Sequence, residues 1–282
     1  MKVLIKKHQL SHHLKPIENL IQGIRKHTKC IVEKSDMDLS KVSKTDFGVC
    51  WGLRNFYYLR KYVKNILVIE NAYINNVQGQ NKEWLSVGWN GLNGRANFYN
   101  SNSPSDRWKK HFDDGRLLDY SDGEYILIPI QIRGDQSLRH VKRTINYQTI
   151  CENIRKYTDL PIVLKDHPTR PGTQPKVVGI KNLKYINSNI PISEAIKNAK
   201  VVVTINSNSG VDALIGGKPV ISLDHGSMVW DIAEKDFMRI NLPRWKDRTQ
   251  WCNNISYAQW HPDEFKSGEV WDHLKQHLEY DD

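Results

Sequence analysis

The sequence predicts an α/β fold made of two doubly wound units facing across a cleft. Three observations predict it. Apolar, β-branched runs alternate with segments of helical spacing, the pattern of parallel sheets covered by helices. The alternation occurs twice, before and after residue ~122, which divides the chain into 1–122 and 123–282. Polar residues gather just beyond the second unit's strands, where open α/β sheets hold ligands.

In the first unit, Lys2–Ile5 reads as a strand. Residues 17–27 have helical spacing, with Pro16 at the helix start. Strands follow at Cys30–Glu33 and Asp46–Trp51, then a basic, aromatic helix at Phe56–Val63. Ile66–Ile69 is a fourth strand, ending at Glu70. Residues 71–120 show no sustained period and read as an irregular, site-lining region that leads to a linker near 119–123.

The second unit opens with the strand ILIPI at 126–130. A helix at 146–158 and a strand at Pro161–Leu164 come next, then an extended piece at 176–180 and a helix at 192–199. Val201–Ile205 is a buried strand that breaks into the small, polar turn Asn206-Ser207-Asn208-Ser209-Gly210. A short helix at 211–215, capped by Gly216-Gly217, leads to the strand Pro219–Leu223. A Trp-rich stretch, 226–282, ends in a polar helix around 268–279.

Composition narrows the function classes. The 282 residues are 39% hydrophobic, with nine Trp and twelve Tyr, enough to form a core and to exclude global disorder. Lys and Arg outnumber Asp and Glu by 41 to 31, a formal charge of +10, which favours nucleic acid, an anionic membrane surface or phosphorylated substrates. The four cysteines are widely spaced and form no CxxC pair, which argues against a disulfide framework or structural zinc. The start, MKVLIKKHQLSHH, has no apolar signal region, and no apolar run approaches the ~20 residues of a membrane span. The expectation is a cytoplasmic protein without a transmembrane segment.

The chemistry is expected at strand ends. The 206–210 turn lies between a strand and a helix, where N–H groups and the helix dipole favour a phosphate; a plain N-cap would use the same residues. His167 follows a strand and precedes Pro168, which pushes it towards extended geometry and presents the imidazole to a phosphate or a ribose hydroxyl. Lys165 and Arg170 add positive charge suited to a leaving phosphate. Gln131 and Asp135 occupy a third strand end. Glu70 is the candidate general base, with Asp46, Asp135 and Asp224 as weaker rivals. Trp89, Asn90 and Arg95, in a Gly/Asn-rich loop, are expected on the acceptor side, where an aromatic ring can stack on a sugar or a base. There is no P-loop, GxGxxG, HExxH or GxSxG motif. The His-rich start at 8–13 and Asp36-Met37-Asp38 are weak metal candidates, and no catalytic metal is expected.

Three segments, ILIPIQIRGDQS (126–137), KDHP (165–168) and TINSNSGVDALIGGKPVIS (204–222), resemble the C-terminal half of capsule-polysaccharide-type glycosyltransferases, the group that contains bacterial Kdo transferases. The resemblance implies donor-nucleotide contacts by Gln131, Asp135, His167, Pro168, Asn206, Ser207, Ser209 and Gly210. It extends to IENAYI (69–74), which is similar to a family segment whose acidic residues lie by the acceptor and so supports Glu70 as base. Asn71 and Asp212 depart from the family pattern. The implied fold is GT-B: two Rossmann-like domains, acceptor on the first, donor on the second. Chemistry is expected to be metal-independent and without cofactor, using a UDP- or CMP-linked sugar, and the C-terminal helix is expected to pack back on the first domain.

The loop GWNGLNGRANF (88–98) resembles a segment of uncharacterised phage and prophage proteins. With the +10 charge, this makes a hydroxylated or hydroxymethylated base in phage-type DNA the favoured acceptor. The reaction would then take place in a bacterial host's cytoplasm. Arg54, Arg60, Lys61, Lys64, Lys109 and Lys110 would contact DNA phosphates, although a solvated basic face explains them equally well. The alternatives are a transferase acting on a capsule- or lipopolysaccharide-type surface glycan, a sugar-nucleotide epimerase, and a non-catalytic nucleic-acid-binding protein.

Overall fold

The computed structural model describes every residue except 7–9, 36–44, 75–82, 133, 142–145, 170–171, 173 and 280–282. Asp36-Met37-Asp38, His8, Arg133 and Arg170 therefore lie outside the described residues. The chain divides into two units, Met1–Phe112 with Cys252–Asp282, and Asp113–Trp251.

The first unit begins with β1 (Lys2–Lys6), α1 (Ser11–His27), β2 (Ile31–Ser35), β3 (Phe47–Trp51), α2 (Gly52–Leu59), β4 (Ile66–Asn71), β5 (Leu85–Trp89) and α3 (Asp106–His111). β1 pairs in parallel with β2 and β3, and β3 with β4. β5 runs antiparallel to β4. Val3, Leu4 and Ile5 are all buried, as expected of a strand covered on both faces. α1 places Ile17, Leu20, Ile21 and Ile24 on one face, in a common core with Val3, Ile5 and Val49.

Three expectations for this unit are corrected. α1 starts well before Pro16, which lies inside the helix and cannot donate to the His12 carbonyl. The helix expected at 56–63 starts at Gly52, whose φ of +66° lets β3 turn straight into α2. The region read as irregular holds β5 and α3; LSVGW is buried along its whole length, so it lacks the polar alternation that marks a strand exposed on one face.

The second unit comprises β6 (Tyr125–Pro129), α4 (Tyr147–Arg155), β7 (Ile162–Lys165), β8 (Leu183–Ile186), α5 (Ile192–Lys197), β9 (Ala199–Thr204), α6 (Ser209–Ile215) and β10 (Val220–Ser222). All pairs are parallel, in the order β10-β9-β6-β7-β8. Ile126, Ile128, Cys151, Ile154, Leu164, Val201 and Val203 form its core. The outer strand is LKYI rather than the expected 176–180; its exposed Lys184 and Tyr185 suit an edge strand and hide it from a search for apolar runs.

The segment expected to be a linker is fastened into this unit. Buried Lys218 donates to the Ser121 and Asp122 carbonyls at 3.2 and 2.9 Å. Gly217, at φ +71°, packs so close that an added Cβ would lie 2.1 Å from the Asp119 carbonyl oxygen. The division consequently falls at 112/113 rather than 122/123.

The remaining elements are α7 (Thr249–Ser256), β11 (Gln259–Trp260), α8 (Pro262–Ser267), α9 (Glu269–Leu274) and α10 (Gln276–Glu279). From Cys252 onward they complete the first unit, where 123–282 was expected to be one domain with only its last helix packing back. β11 pairs antiparallel with β5, giving the order β11-β5-β4-β3-β1-β2. Arg107 of α3 makes a buried, two-pronged ion pair with Glu264 of α8. Its Nε donates to the Ser256 carbonyl at 3.1 Å and one terminal nitrogen to the Gln259 carbonyl at 3.0 Å. The guanidinium lies 3.9 Å from the Trp260 ring centre.

Arg107→Met leaves a buried carboxylate without its cation and is expected to cost about 3–5 kcal/mol of first-unit stability, read as a midpoint shift in urea. Arg107→Met with Glu264→Leu should cost less than Arg107→Met alone. A double variant no more stable than the single one would show that the pair is not the anchor.

Candidate active site

In the second unit the chain runs from β6 outward through β7 to β8, then returns to the other side of β6 as β9 and β10. The crevice at the carboxyl ends of β6 and β9 is therefore a topological switch point, the usual ligand position in such sheets. Gln131 and Asn206 meet across it. The Gln131 Nε2 donates to Asn206 Oδ1 at 2.9 Å, and the Asn206 N–H donates to Gln131 Oε1 at 3.1 Å. Asn206 Nδ2 also donates to the Ser137 carbonyl at 2.8 Å and to Asp224 Oδ2 at 2.7 Å. Both amides are buried and bonded within the protein. They tie together the ends of β6, β9 and β10 and so form the floor of the crevice. Asp135 is engaged too; its Oδ1 accepts from the Ser137 N–H at 2.8 Å and hydroxyl at 2.9 Å.

The 206–210 turn largely satisfies itself. The Ser209 N–H donates to Ser207 Oγ at 3.2 Å and the Gly210 N–H to the Ser207 carbonyl at 3.0 Å. The Val211 and Asp212 N–H groups donate to the Asn208 carbonyl at 2.8 and 3.2 Å. An oxyanion here would meet the half-buried Ser207 and Ser209 hydroxyls, not a row of empty N–H groups. Gly210 is buried, and a Cβ there would lie 3.1 Å from Val229, so this glycine serves packing. Asp212, half-buried on α6, has an enclosed carboxyl whose pKa burial pushes up to about 7.

At the end of β7, buried Asp166 accepts from the His167 N–H at 3.0 Å and the Gly172 N–H at 2.7 Å, and so shapes the loop that carries His167. His167 Nδ1 accepts the Thr169 N–H at 3.2 Å, which places the neutral ring's proton on Nε2 as a donor. Lys165 is buried and turns back to the Asp166 carbonyl at 3.2 Å; burial lowers its pKa, against the opposing pull of Asp166. Pro168 is exposed. A separate concavity of about 570 Å³, lined by residues 155–161 and Asn241, sits at the entry to β7, the opposite end from His167.

The first unit has its own switch point, between β1 and β3. Residues overlooked in the sequence gather there. Lys6, the last residue of β1, donates to Asn55 Oδ1 at 3.2 Å, and Asn55 Nδ2 donates to the Trp51 carbonyl at 2.9 Å. His13 stacks on Trp51 with ring centres 4.7 Å apart and planes 11° apart. Burial, followed by the charge of His12, lowers the His13 pKa. Glu70 ends the next strand; its Oε1 accepts from the Asn71 N–H at 3.0 Å and side chain at 3.1 Å. A Cβ on Gly52 would lie 3.3 Å from Glu70 Oε2, so the missing side chain lets the carboxylate settle over the start of α2. The signal that could have found this cluster is position: Lys6, Trp51 and Glu70 all lie at or near carboxyl ends of parallel strands.

Trp89, Asn90 and Arg95 do not join them. Trp89 pairs with Leu67 at the start of β4, whereas Glu70 pairs with Ser86. The two places are thus about 10 Å apart along the strand, at opposite edges of the sheet. Trp89 is 0% exposed, stacks on His277 at 4.6 Å and donates to the Leu274 carbonyl at 2.8 Å, so it is core and not a stacking platform. Asn90, at φ +59°, accepts the Ile66 N–H at 2.9 Å and forms a turn; Arg95 ends a short 3-10 turn on the same side. Arg54, Arg60, Lys61, Lys64, Lys109 and Lys110 are exposed on and around α2 and α3.

Residues 104–239 match the family described as capsule polysaccharide biosynthesis protein. The matched stretch is a little under half of the chain. It holds the β6–β9 switch point and His167. The capsule polysaccharide export protein KpsS of Escherichia coli is 29% identical over 133 residues, 42% of this chain and 33% of KpsS. Protein FixF of Sinorhizobium fredii (strain NBRC 101917 / NGR234) is 34% identical over 108 residues, 35% of this chain and 26% of FixF. The chain thus spans a third or less of these relatives' length. Among solved structures, the β-Kdo 2,4-transferase of Thermosulfurimonas dismutans KpsC aligns over 97% of both chains with a TM-score of 0.60 and 13% identity. The β-Kdo 2,7-transferase of KpsC aligns over 98% of this chain and 100% of that one, with a TM-score of 0.54 and 17% identity. The fold is GT-B-like. These likenesses lend the capsule reading support that the DNA-base reading lacks. Among the described residues no helix is long and apolar enough to cross a membrane.

Asp212 yields a pH prediction. Its folded pKa of about 7 lies above the usual carboxylate value, so its ionisation penalises the folded state. Stability is expected to fall as pH rises from about 4 to about 7, and Asp212→Asn should remove that component, gaining on the parent at pH 8 and matching it at pH 4. Thermal melts across that range check it; an equal difference at both ends would refute the raised pKa.

Proposed function

We propose that the chain is a glycosyltransferase of the capsule type, moving a sugar from a UDP- or CMP-linked donor to a hydroxyl of a surface-type glycan. The observation that carries the reading is the coincidence of two features. The family-matched stretch, 104–239, contains the buried Gln131–Asn206 tie across the β6–β9 switch point, and it places His167 just past the end of the neighbouring strand β7.

The roles follow from chemistry. His167 donates to the departing phosphate, whose charge grows as the anomeric bond breaks. Ser207 and Ser209 hydroxyls lie on the same donor side. Glu70, at the first unit's strand end, takes the proton of the attacking hydroxyl. Trp51 and Lys6, beside Gly52 and Glu70, form the acceptor side in place of Trp89, Asn90 and Arg95. Displacement is direct and uses no metal, so turnover is expected to survive a chelator.

Transfer from a panel of UDP- and CMP-sugars to a capsular glycan, followed by mass analysis, tests the reading. Release of an epimerised sugar without an acceptor, or modification of hydroxymethylated DNA instead of the glycan, would overturn it. His167→Ala is expected to lower turnover by about 10²–10³-fold with an unchanged melting temperature. Glu70→Gln should lower kcat more than it raises KM, since the lost proton acceptor matters only once the bond is forming. Unchanged turnover in either variant removes that residue from its role.

A further inference from the structure

In the second unit, Met238, Leu242 and Trp245 are 73%, 81% and 58% exposed. Single exposed apolar residues are ordinary, but here they crowd into one short segment, FMRINLPRWK, where cations sit between them. The segment is held in place from beneath. Phe237 and Ile240 pack into the unit's core, while the Ile240 and Leu242 N–H groups donate to the Phe237 and Arg239 carbonyls at 3.1 and 3.0 Å. Trp245 is braced on one side by Tyr120, with ring centres 5.8 Å apart and planes 14° apart. The outward set is therefore presented by the fold rather than left over from it.

Charge selects the partner. Arg239 is exposed next to Met238, and Lys235 is exposed nearby, 3.8 Å from the Trp230 ring centre. Arg244 adjoins Trp245 and pairs with Glu234 at 2.9 Å. Segment 235–246 carries Lys235, Arg239, Arg244 and Lys246 against one acid, Asp236, which accepts the Met238 N–H at 2.9 Å. Next to it lies Tyr157, 44% exposed, whose carbonyl accepts from Asn241 at 2.5 Å, and exposed Lys156. Apolar tips flanked by cations, on a chain of formal charge +10, complement a surface with phosphate headgroups above an apolar interior.

We infer that the segment 235–246 docks the protein on an anionic phospholipid bilayer, with Met238, Leu242 and Trp245 entering the headgroup boundary and Lys235 and Arg239 meeting lipid phosphates. This inference does not depend on the reaction proposed above.

Co-flotation of the full chain with vesicles tests it. Binding is expected to vesicles of equal parts phosphatidylglycerol and phosphatidylcholine, not to phosphatidylcholine alone, and to weaken with salt. The triple variant Met238→Ser, Leu242→Ser and Trp245→Ser should lose at least about tenfold in vesicle affinity, since it withholds apolar area from the boundary. Arg239→Glu should weaken binding to anionic vesicles at low salt. All four positions are exposed, and an unchanged melting temperature confirms that the variants fold. Equal binding to both vesicle types, full binding by the triple variant, or absence of binding would each overturn the inference. So would a self-association, seen by sedimentation, that the triple variant abolishes while the parent ignores vesicles; the covering partner would then be a second copy.

Discussion

The Arg107–Glu264 ion pair is the constraint on which the first unit depends. The chain leaves that unit after Phe112 and returns at Cys252, so a long excursion must be closed before the sheet is complete. A buried guanidinium demands compensation on every side, and the returning segment supplies it: the Glu264 carboxylate, the Ser256 and Gln259 carbonyls and the Trp260 ring. The same segment adds β11 beside β5, which would otherwise be an unpaired edge. It reaches the candidate site as well. Gln259, fully buried, accepts the N–H groups of Tyr73 and Ile74 at 2.9 Å each, fixing the chain just beyond Glu70. The position of the proposed base thus rests on residues near the other end of the sequence.

Each unit repeats one solution. A strand order that reverses direction leaves a crevice at the carboxyl ends of two neighbouring strands, and side chains from both ends meet there. In the second unit the meeting is polar and buried, Gln131 with Asn206. In the first it is aromatic and cationic, Trp51 with His13 and Lys6 with Asn55. A rigid amide floor suits a ligand that is bound in one orientation.

Much of this was legible in the residues, and the misreadings share a cause. VVVTI and ILIPI announce buried parallel strands because nothing polar interrupts them, and a histidine between such a strand and a proline has little choice but to stand at its end. Strand order is not written in any local window. Trp89 has the look of a stacking residue in a Gly/Asn loop until its pairing with Leu67 puts it at the wrong edge and inside the core. Trp51 passes for the last letter of a strand until β1 lies beside it and brings Lys6. β8 escapes notice because an edge strand carries polar residues, and the 252–282 segment because its partner, Arg107, is one of several basic residues in SDRWKKH (105–111), with nothing local to single it out.

The family-like segments raise a separate question: which of their polar residues face a ligand and which hold the fold. Hydrogen-bond capacity answers it. Asn206 accepts from Gln131 through its amide oxygen and donates its side-chain hydrogens to Ser137 and Asp224. Withdrawing any of them to meet a nucleotide would strand a buried partner at a cost of about 1–3 kcal/mol. Lys218, in the GKP run, is likewise committed to the Ser121 and Asp122 carbonyls. His167 differs in kind: it is half-buried at a strand end, and its Nδ1 accepts the Thr169 N–H, which fixes the ring in the loop beyond β7. A motif recognised in sequence is therefore part scaffold and part reactive group, and only the geometry of its hydrogen bonds tells one from the other.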